Sequence, residues 1–118
     1  MSLDLSRDGK TIVFELLGDL YTLPVTGGEA TRITSGQAYD MQAAFSPDGS
    51  RIVFISDRNG SENIWIANAD GTKARALTST ERDSYMSPIW TRDGGRQLRM
   101  ARALRHRSFL LGATITLA

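Results

Sequence analysis

The stretch Phe45-Ser46-Pro47-Asp48-Gly49-Ser50-Arg51-Ile52-Val53-Phe54 decides the fold of this 118-residue chain. It begins with a turn in which Pro47 presets φ, Asp48 can bond to its local backbone, and Gly49 suits a left-handed conformation. The run from Ile52 to Ile55 is apolar without alternation, which is typical of a strand buried on both faces. The stretch therefore predicts a tight turn that leads into an inner strand of a layered β structure.

The same turn and strand recur along the chain. Leu5-Ser6-Arg7-Asp8-Gly9-Lys10-Thr11-Ile12-Val13-Phe14 aligns with the stretch above, and a third start follows at Trp90-Thr91-Arg92-Asp93-Gly94. The three aspartates are separated by 40 and then 45 residues. A period of this length is that of a four-stranded propeller blade. A generic β-sandwich with repeated Asp-Gly turns is the weaker alternative, because two copies agree in turn, strand, strand and turn.

Within the second copy, turn residues separate four short apolar segments. The copy is longer than the first mainly at residues 57–62, where an insertion lengthens a hairpin loop and leaves the strands intact. The predicted strands are Ala43 to Phe45, Arg51 to Ser56, Ile64 to Ile66, and Ala74 to Thr78. We predict an all-β fold: a partial β-propeller with about two four-stranded antiparallel blades and the start of a third. Propeller repeats occupy residues 1–95, with blade one at about 3–42, blade two at about 43–87, and the start of blade three at 88–95.

A basic tail that does not conform to the repeat fills residues 96–118. It contains no acidic residue and five arginines: Arg96, Arg99, Arg102, Arg105 and Arg107. Gln97 and Arg99 stand where the earlier copies have Ile and Phe, and a buried unpaired arginine costs several kcal/mol, so this segment is not expected to form the same inner strand. Three interpretations are open: a basic amphipathic helix that touches an anionic membrane or nucleic acid, a divergent native extension, and a truncated or frame-shifted end. The abrupt loss of the repeat favours the last.

The sequence offers no candidate catalytic, cofactor-binding or metal-binding residue. His106 is the single histidine, too few for a hydrolytic metal centre, and no nucleophile-elbow pattern occurs. There is no cysteine. Each Asp-Gly turn offers one acid, whereas a calcium loop needs several oxygen ligands at short spacing. We therefore interpret these residues as structural turns and expect no cofactor: Asp8, Gly9, Asp48, Gly49, Asp70, Gly71, Asp93 and Gly94.

Two further features are candidates for binding. Asp57 and Arg58 could contact the polar edge of a partner, although a solvated surface ion pair is the favoured interpretation. Tyr21, Trp65 and Trp90 could form an aromatic surface, although packing between blades is favoured. No signal peptide begins the sequence, and no apolar run reaches the roughly 18 residues of a membrane helix. We expect neither nucleic acid nor a membrane as a partner.

The second copy of the repeat resembles that of a known family. Phe45 to Arg58, followed by Asn63-Ile64-Trp65 and Asn68-Ala69-Asp70-Gly71, is similar to the repeat of TolB-like, WD-type β-propellers. The first copy most resembles the propeller that precedes the catalytic domain of bacterial exported amidohydrolases. The resemblance implies a periplasmic or secreted parent, and a non-catalytic propeller fragment of a metal-dependent hydrolase. A TolB-type periplasmic interaction module and the propeller of a prolyl oligopeptidase-like serine peptidase are the alternatives.

The expected partners are the remaining blades, an adjacent catalytic domain of the parent, or envelope proteins. Propellers close with four to eight blades, and single repeats cannot bury their faces alone. We therefore predict that the isolated chain is marginally stable and self-associates or aggregates.

Overall fold

Each copy of the repeat forms one four-stranded antiparallel sheet in the computed structural model, which describes residues 2–79, 83–90, 97–104 and 110–117. Eleven strands and no helix occur in those ranges. The first sheet holds β1 (Leu3–Leu5), β2 (Thr11–Leu16), β3 (Asp19–Pro24) and β4 (Thr31–Arg32); the second holds β5 (Asp40–Phe45), β6 (Arg51–Ser56), β7 (Asn63–Asn68) and β8 (Arg75–Ala76); the third holds β9 (Asp83–Trp90), β10 (Gln97–Leu104) and β11 (Leu110–Thr116).

Strand order follows chain order in both four-stranded sheets, so every connection between neighbouring strands is local. The hairpin between β2 and β3 turns on Leu17 and Gly18, both at positive φ, which suits a two-residue hairpin turn. The corresponding hairpin between β6 and β7 spans residues 57–62. The inserted residues of the second copy therefore lie in a loop, as predicted.

Three strands of the second sheet, β5, β7 and β8, differ in their bounds from prediction. β7 extends over Asn63–Asn68, beyond the predicted Ile64 to Ile66. The first strand of this sheet, β5, begins at Asp40 rather than Ala43 and contains a bulge between Met41 and Ala44. The last strand of this sheet, β8, is limited to Arg75–Ala76 rather than Ala74 to Thr78. The N–H groups of Leu77 and Thr78 both donate to the carbonyl of Ile64, so these two residues do not continue the regular strand pairing. None of these changes alters the four-stranded meander.

Two apolar layers separate the three sheets. In the layer between the first and second sheets, Val13 and Leu20 pack with Ile52 and Phe54. The second layer places Val53, Ile55, Ile64 and Ile66 with Leu98 of the third sheet. β6 is thus buried on both faces, as its uninterrupted apolar run predicts.

Gly71 shows how closely the first two sheets approach each other. Its φ of +87° is one that residues with a side chain rarely adopt, and a Cβ there would overlap the carbonyl oxygen of Ile33, the residue after β4 of the first sheet. The turn between β7 and β8 therefore contacts the neighbouring sheet through bare backbone.

The third sheet corrects the interpretation of the basic tail. Gln97–Leu104 forms the central strand of the order β11-β10-β9, so the expectation that this segment is not an inner strand is wrong, as is a helix over these residues. The reason lies in the direction of the side chains. Leu98 is fully buried against the second sheet, whereas Arg99 lies on the opposite, exposed face and is not desolvated. β9 begins at Asp83, ahead of the predicted start of blade three. Asp93, Gly94 and His106 lie outside the described residues.

Candidate functional site

The turns with an aspartate hold their carboxylates in local hydrogen bonds. Asp8 accepts from the Ser6 hydroxyl at 2.6 Å and from the Lys10 N–H at 3.0 Å. Asp48 accepts from the hydroxyl of Ser46 at 2.8 Å, and from both the N–H and the hydroxyl of Ser50 at 3.0 and 2.7 Å. These are the bonds by which an Asp stabilises a turn before a glycine at positive φ.

The same bonds lower the pKa of each carboxyl group. The Ser6 hydroxyl is the main cause of the lowered pKa of Asp8. The N–H and hydroxyl of Ser50 bring the pKa of Asp48 to about 2. At Asp70, which accepts from the hydroxyl and N–H of Thr72, the pKa is lowered as well. Hydrogen bonds to the charged form of a carboxylate have this effect without any metal.

These three aspartates line one cleft of about 420 Å³ between the first two sheets. The topology brings them there, because the turns that follow β1, β5 and β7 lie at the same end of the sheets. Among the described residues no group of three or more His, Cys, Asp or Glu side chains is arranged to hold a metal ion. Nor does any helix there have the length and apolar character to cross a membrane.

The opposite end of the sheets carries a buried ion pair that centres on Arg58. Its Nη2 lies 2.9 Å from Oδ2 of Asp40, and its Nε donates to the hydroxyl of Ser56 at 3.1 Å. Its guanidinium carbon is 5.3 Å from the ring centroids of both Phe54 and Trp65. Asp40 is fully buried and the Arg58 side chain is 25% exposed, so this pair is largely withdrawn from water.

The predicted solvated pair of Asp57 and Arg58 is therefore wrong. Asp57 turns away and accepts a hydrogen bond from the Tyr39 N–H at 2.8 Å, while Arg58 reaches inward to Asp40. Together these two contacts hold the residues at the start of β5, Tyr39 and Asp40, against the hairpin between β6 and β7. The physical reason is that a buried carboxylate requires a charged partner.

Asp40 is the residue that sequence reasoning missed. It stands five positions ahead of Phe45, whereas the alignment of the two copies starts at Leu5 and Phe45 and does not reach it. The available signal is an acidic residue at the start of a strand whose other residues, except Gln42, are apolar. One of its oxygens, Oδ1, is buried with no hydrogen-bond partner among the described residues.

The aromatic residues of the sequence prediction do not form a common surface. Tyr21 stacks on Phe14 with ring centroids 5.6 Å apart. Trp65 lies under Arg58, and Trp90 packs against the layer between the second and third sheets, where its Nε1 donates to the carbonyl of Ala44 at 3.3 Å. The positions of Trp65 and Trp90 agree with the favoured interpretation of packing between blades.

Next to the Arg58 pair lies an open cleft of about 560 Å³, lined by Ser35, Gln37, Ala38, Asp57 and Arg58. Its walls come from the segment between the first and second sheets and from the β6–β7 hairpin. The lining offers a hydroxyl, an amide, a carboxylate and a guanidinium. These groups can donate and accept hydrogen bonds to an extended polar ligand, such as a peptide backbone.

Stacked four-stranded meanders joined by apolar layers define a segment of a β-propeller. Residues 4–111 match the family model of the tricorn protease N-terminal beta propeller domain, and the chain belongs to that family. The resemblance to TolB-like propellers is confirmed as well, by the relatives and structures that follow.

Among curated proteins, an uncharacterized protein of Agrobacterium fabrum is 32% identical over 79 residues, which cover 64% of this chain and 27% of that protein. Tricorn protease homolog 1 of Streptomyces coelicolor is 28% identical over 86 residues, 73% of this chain and 8% of that protein. A TolB homolog of Chlorobium luteolum is 36% identical over 56 residues, 48% of this chain and 13% of that protein. The chain therefore spans at most 27% of the length of these relatives.

Among solved structures, a TolB candidate from Agrobacterium tumefaciens has a TM-score of 0.81 and 22% identity, covering 96% of this chain and 44% of that one. TolB from Acinetobacter baumannii has a TM-score of 0.75 and 21% identity, with coverages of 98% and 29%. The tricorn protease has a TM-score of 0.67 and 17% identity, with coverages of 98% and 13%. At these identities the likeness shows the fold, which is the predicted propeller.

Proposed function

We propose that this chain is the non-catalytic binding segment of a larger propeller protein, and that it holds a polypeptide in the cleft beside Arg58. The observation that carries the proposal is the buried pair of Arg58 and Asp40. It fixes the two segments that wall the cleft. A rigid polar cleft at the loop end of a β scaffold is a common place for recognition. We further propose that the Asp8, Asp48 and Asp70 turns serve only to shape the strands.

For the parent protein, the family match and the Streptomyces relative favour a tricorn-type or related peptidase. The TolB relatives favour a periplasmic interaction protein, and a periplasmic or secreted location accords with that resemblance. The exported amidohydrolase expected from the sequence has no counterpart among the relatives described above. The coding sequence on either side of this segment would distinguish these three candidate parent proteins. A Gly-x-Ser-x-Gly motif downstream would indicate a serine peptidase, and a His-x-His barrel signature downstream would indicate an amidohydrolase. A small α/β domain upstream would indicate TolB.

The absence of cysteine from the sequence gives a clean test of the cleft. A photo-cross-linker attached to Gln37→Cys, in the cleft lining, should capture a polypeptide partner in cell-envelope extracts. The matched control is Glu29→Cys, which is exposed and lies in the loop at the other end of the sheets. We expect a product that is specific to the first position and is competed by unlabelled chain. Equal capture at both positions would contradict binding in the cleft.

A further inference from the structure

Leu17 is an exposed apolar residue in a backbone conformation that does not suit it. It lies in the two-residue turn between β2 and β3, with a φ of +52°, and it is 91% exposed. Of the three non-glycine residues at positive φ in the described part of the chain, it is the only apolar one. Such turns favour Asn-Gly or Asp-Gly, because Asn and Asp adopt positive φ more readily than Leu does.

The side chain of Leu17 does not contribute to either apolar layer between the sheets. Both layers consist of other residues, and Leu17 lies beyond the ends of the two strands rather than on a face of their sheet. A residue that departs from local preference without a gain in packing indicates a functional role. A large apolar side chain held in a tight turn is suited to contact a partner.

The turn is fixed next to the proposed binding cleft. The carbonyl of Gly18 accepts a hydrogen bond from the Asp40 N–H at 2.8 Å. The ring of Tyr39 lies so close to Gly18 that a Cβ there would be 2.8 Å from the ring carbon Cδ2. The Tyr39 N–H in turn donates to Asp57, which lines the cleft. Tyr39 is half exposed, and we call Leu17 and Tyr39 the apolar patch beside the cleft.

The cleft next to this patch has an excess of negative charge. Arg58 turns inward, and its charge is balanced by that of the buried Asp40. Asp57 and Glu62, in the same hairpin, are exposed and form no ion pair with another described residue. Complementary charge selects binding partners, so this hairpin favours a cationic group on the ligand.

We propose that the polypeptide held in the cleft carries a large apolar residue next to a lysine or arginine. The apolar side chain packs on Leu17 and Tyr39, and the cation pairs with Asp57. This inference rests on the proposed function and names the class of its partner. Buried apolar anchors contribute much of the affinity at an interface, whereas rim charges mainly select the partner, so the two contacts can be tested separately.

Four fluorescent peptides test the proposal: one Ser/Gly-rich sequence with a central Trp-Lys, Trp-Glu, Ser-Lys or Ser-Glu pair. Fluorescence anisotropy measures their binding to the parent protein that contains this segment, and we expect the Trp-Lys peptide to bind most tightly. Equal binding of all four peptides, or binding of none, would overturn the inference. The proposed function survives either result if a cross-linker at Gln37→Cys still captures a polypeptide, and both proposals fail if it does not.

Leu17→Asn separates the contact from the stability of the turn. Asn suits positive φ, so the variant should be at least as stable as the wild type in thermal unfolding. The dissociation constant of the Trp-Lys peptide should nevertheless rise about tenfold. Val25→Asn is the matched control, because Val25 is half exposed but follows β3 at the far end of the hairpin. Equal effects of the two substitutions on binding would contradict the role of Leu17.

Asp57→Asn tests the charge without removing the hydrogen bond to Tyr39, since an amide oxygen still accepts from the Tyr39 N–H. The preference for the Trp-Lys over the Trp-Glu peptide should fall about threefold, as expected for an exposed ion pair. The preference for Trp-Lys over Ser-Lys should stay the same, because it depends on the apolar patch. An undiminished preference for lysine over glutamate would show that the cation does not pair with Asp57.

Discussion

β2 and β6 share the sequence Ile-Val-Phe and the same turn before it, yet they sit in different surroundings. In β6 every residue after Arg51 is buried, whereas in β2 only Val13 is. The difference comes from their neighbours: β6 lies between two sheets, and β2 has a sheet on one side only. The repeat thus encodes a strand with two apolar faces. The position of the strand among the stacked sheets decides how much of that apolar surface is buried and so stabilises the fold.

The ion pairs of the two sheets differ in the same direction. Arg32 and Asp19 of the first sheet form a pair with side chains 50% and 14% exposed, while Arg58 and Asp40 of the second are largely buried. Matched substitutions in the two copies can therefore separate what the sequence motif contributes from what burial contributes.

The largest difference in unfolding free energy between matched variants is expected at the equivalent phenylalanines, Phe54 and Phe14. Phe54→Ala should lower the free energy of unfolding by about 3–5 kcal/mol, because Phe54 is fully buried in the layer between the sheets. Phe14→Ala should cost about 1 kcal/mol, because Phe14 lies on the side of the first sheet away from the second and is only partly buried. Urea denaturation followed by tryptophan fluorescence measures both. Equal losses would show that the two strands are buried alike in solution.

The ion pairs should give the next largest contrast. Arg58→Met leaves the Asp40 carboxylate buried without its partner and should cost about 3 kcal/mol. Arg32→Met should cost about 0–1 kcal/mol, since that arginine is half exposed. Adding Asp40→Asn to Arg58→Met should recover most of the loss, because it removes the stranded charge. If the double variant is no more stable than Arg58→Met, the cost comes from lost packing on Phe54 and Trp65 rather than from charge.

Much of the fold was predictable because its signals are local. The turn at Asp48-Gly49 and the apolar run after it specify a turn and a strand without reference to the rest of the chain, and the period of the turns specifies the repeated sheet. The hairpin at residues 57–62 was predictable for the same reason, since an insertion between two matching strands can only lengthen their connection.

The misplaced predictions depend on contacts between sheets. Arg99 speaks against an inner strand only if both faces of β10 are covered, and that coverage is a property of the neighbouring sheets. The sequence predicts a surface pair for Arg58 because its observed partner, Asp40, lies 18 positions away in sequence and is brought near by the pairing of β5 with β6. A buried polar contact of this kind has no local sequence signature.

A smaller difference in the loss of stability is expected between substitutions of the equivalent glycines in the turns before β4 and β8. Gly71→Ala and Gly28→Ala both place a side chain at positive φ, which costs about 1 kcal/mol. Only at position 71 would the new methyl group meet the neighbouring sheet, at the Ile33 carbonyl, whereas the space at Gly28 is open. We expect Gly71→Ala to cost about 1–2 kcal/mol more in thermal unfolding. Similar losses would indicate that the two sheets are less closely packed than described.

The smallest contrast concerns the protonation of the turns. Asp48 has one more hydroxyl donor than Asp8, because Ser50 stands where the first copy has Lys10. Its pKa is lowered from 3.8 to about 2, so the charged form is favoured in the folded chain. The stabilisation from this carboxylate is therefore present above about pH 4 and is lost as pH falls toward 2.

NMR titration of the carboxyl carbons measures this difference directly. Asp48 should titrate below Asp8 in the wild-type chain, and Ser50→Ala should raise the pKa of Asp48 because it removes the hydroxyl donor and keeps the backbone N–H. Ser46→Ala is the comparison, since it removes the hydroxyl that contributes less to the shift. An unchanged pKa of Asp48 in Ser50→Ala would mean that the backbone N–H alone sets the acidity of this turn, and that the two copies differ in burial but not in turn chemistry.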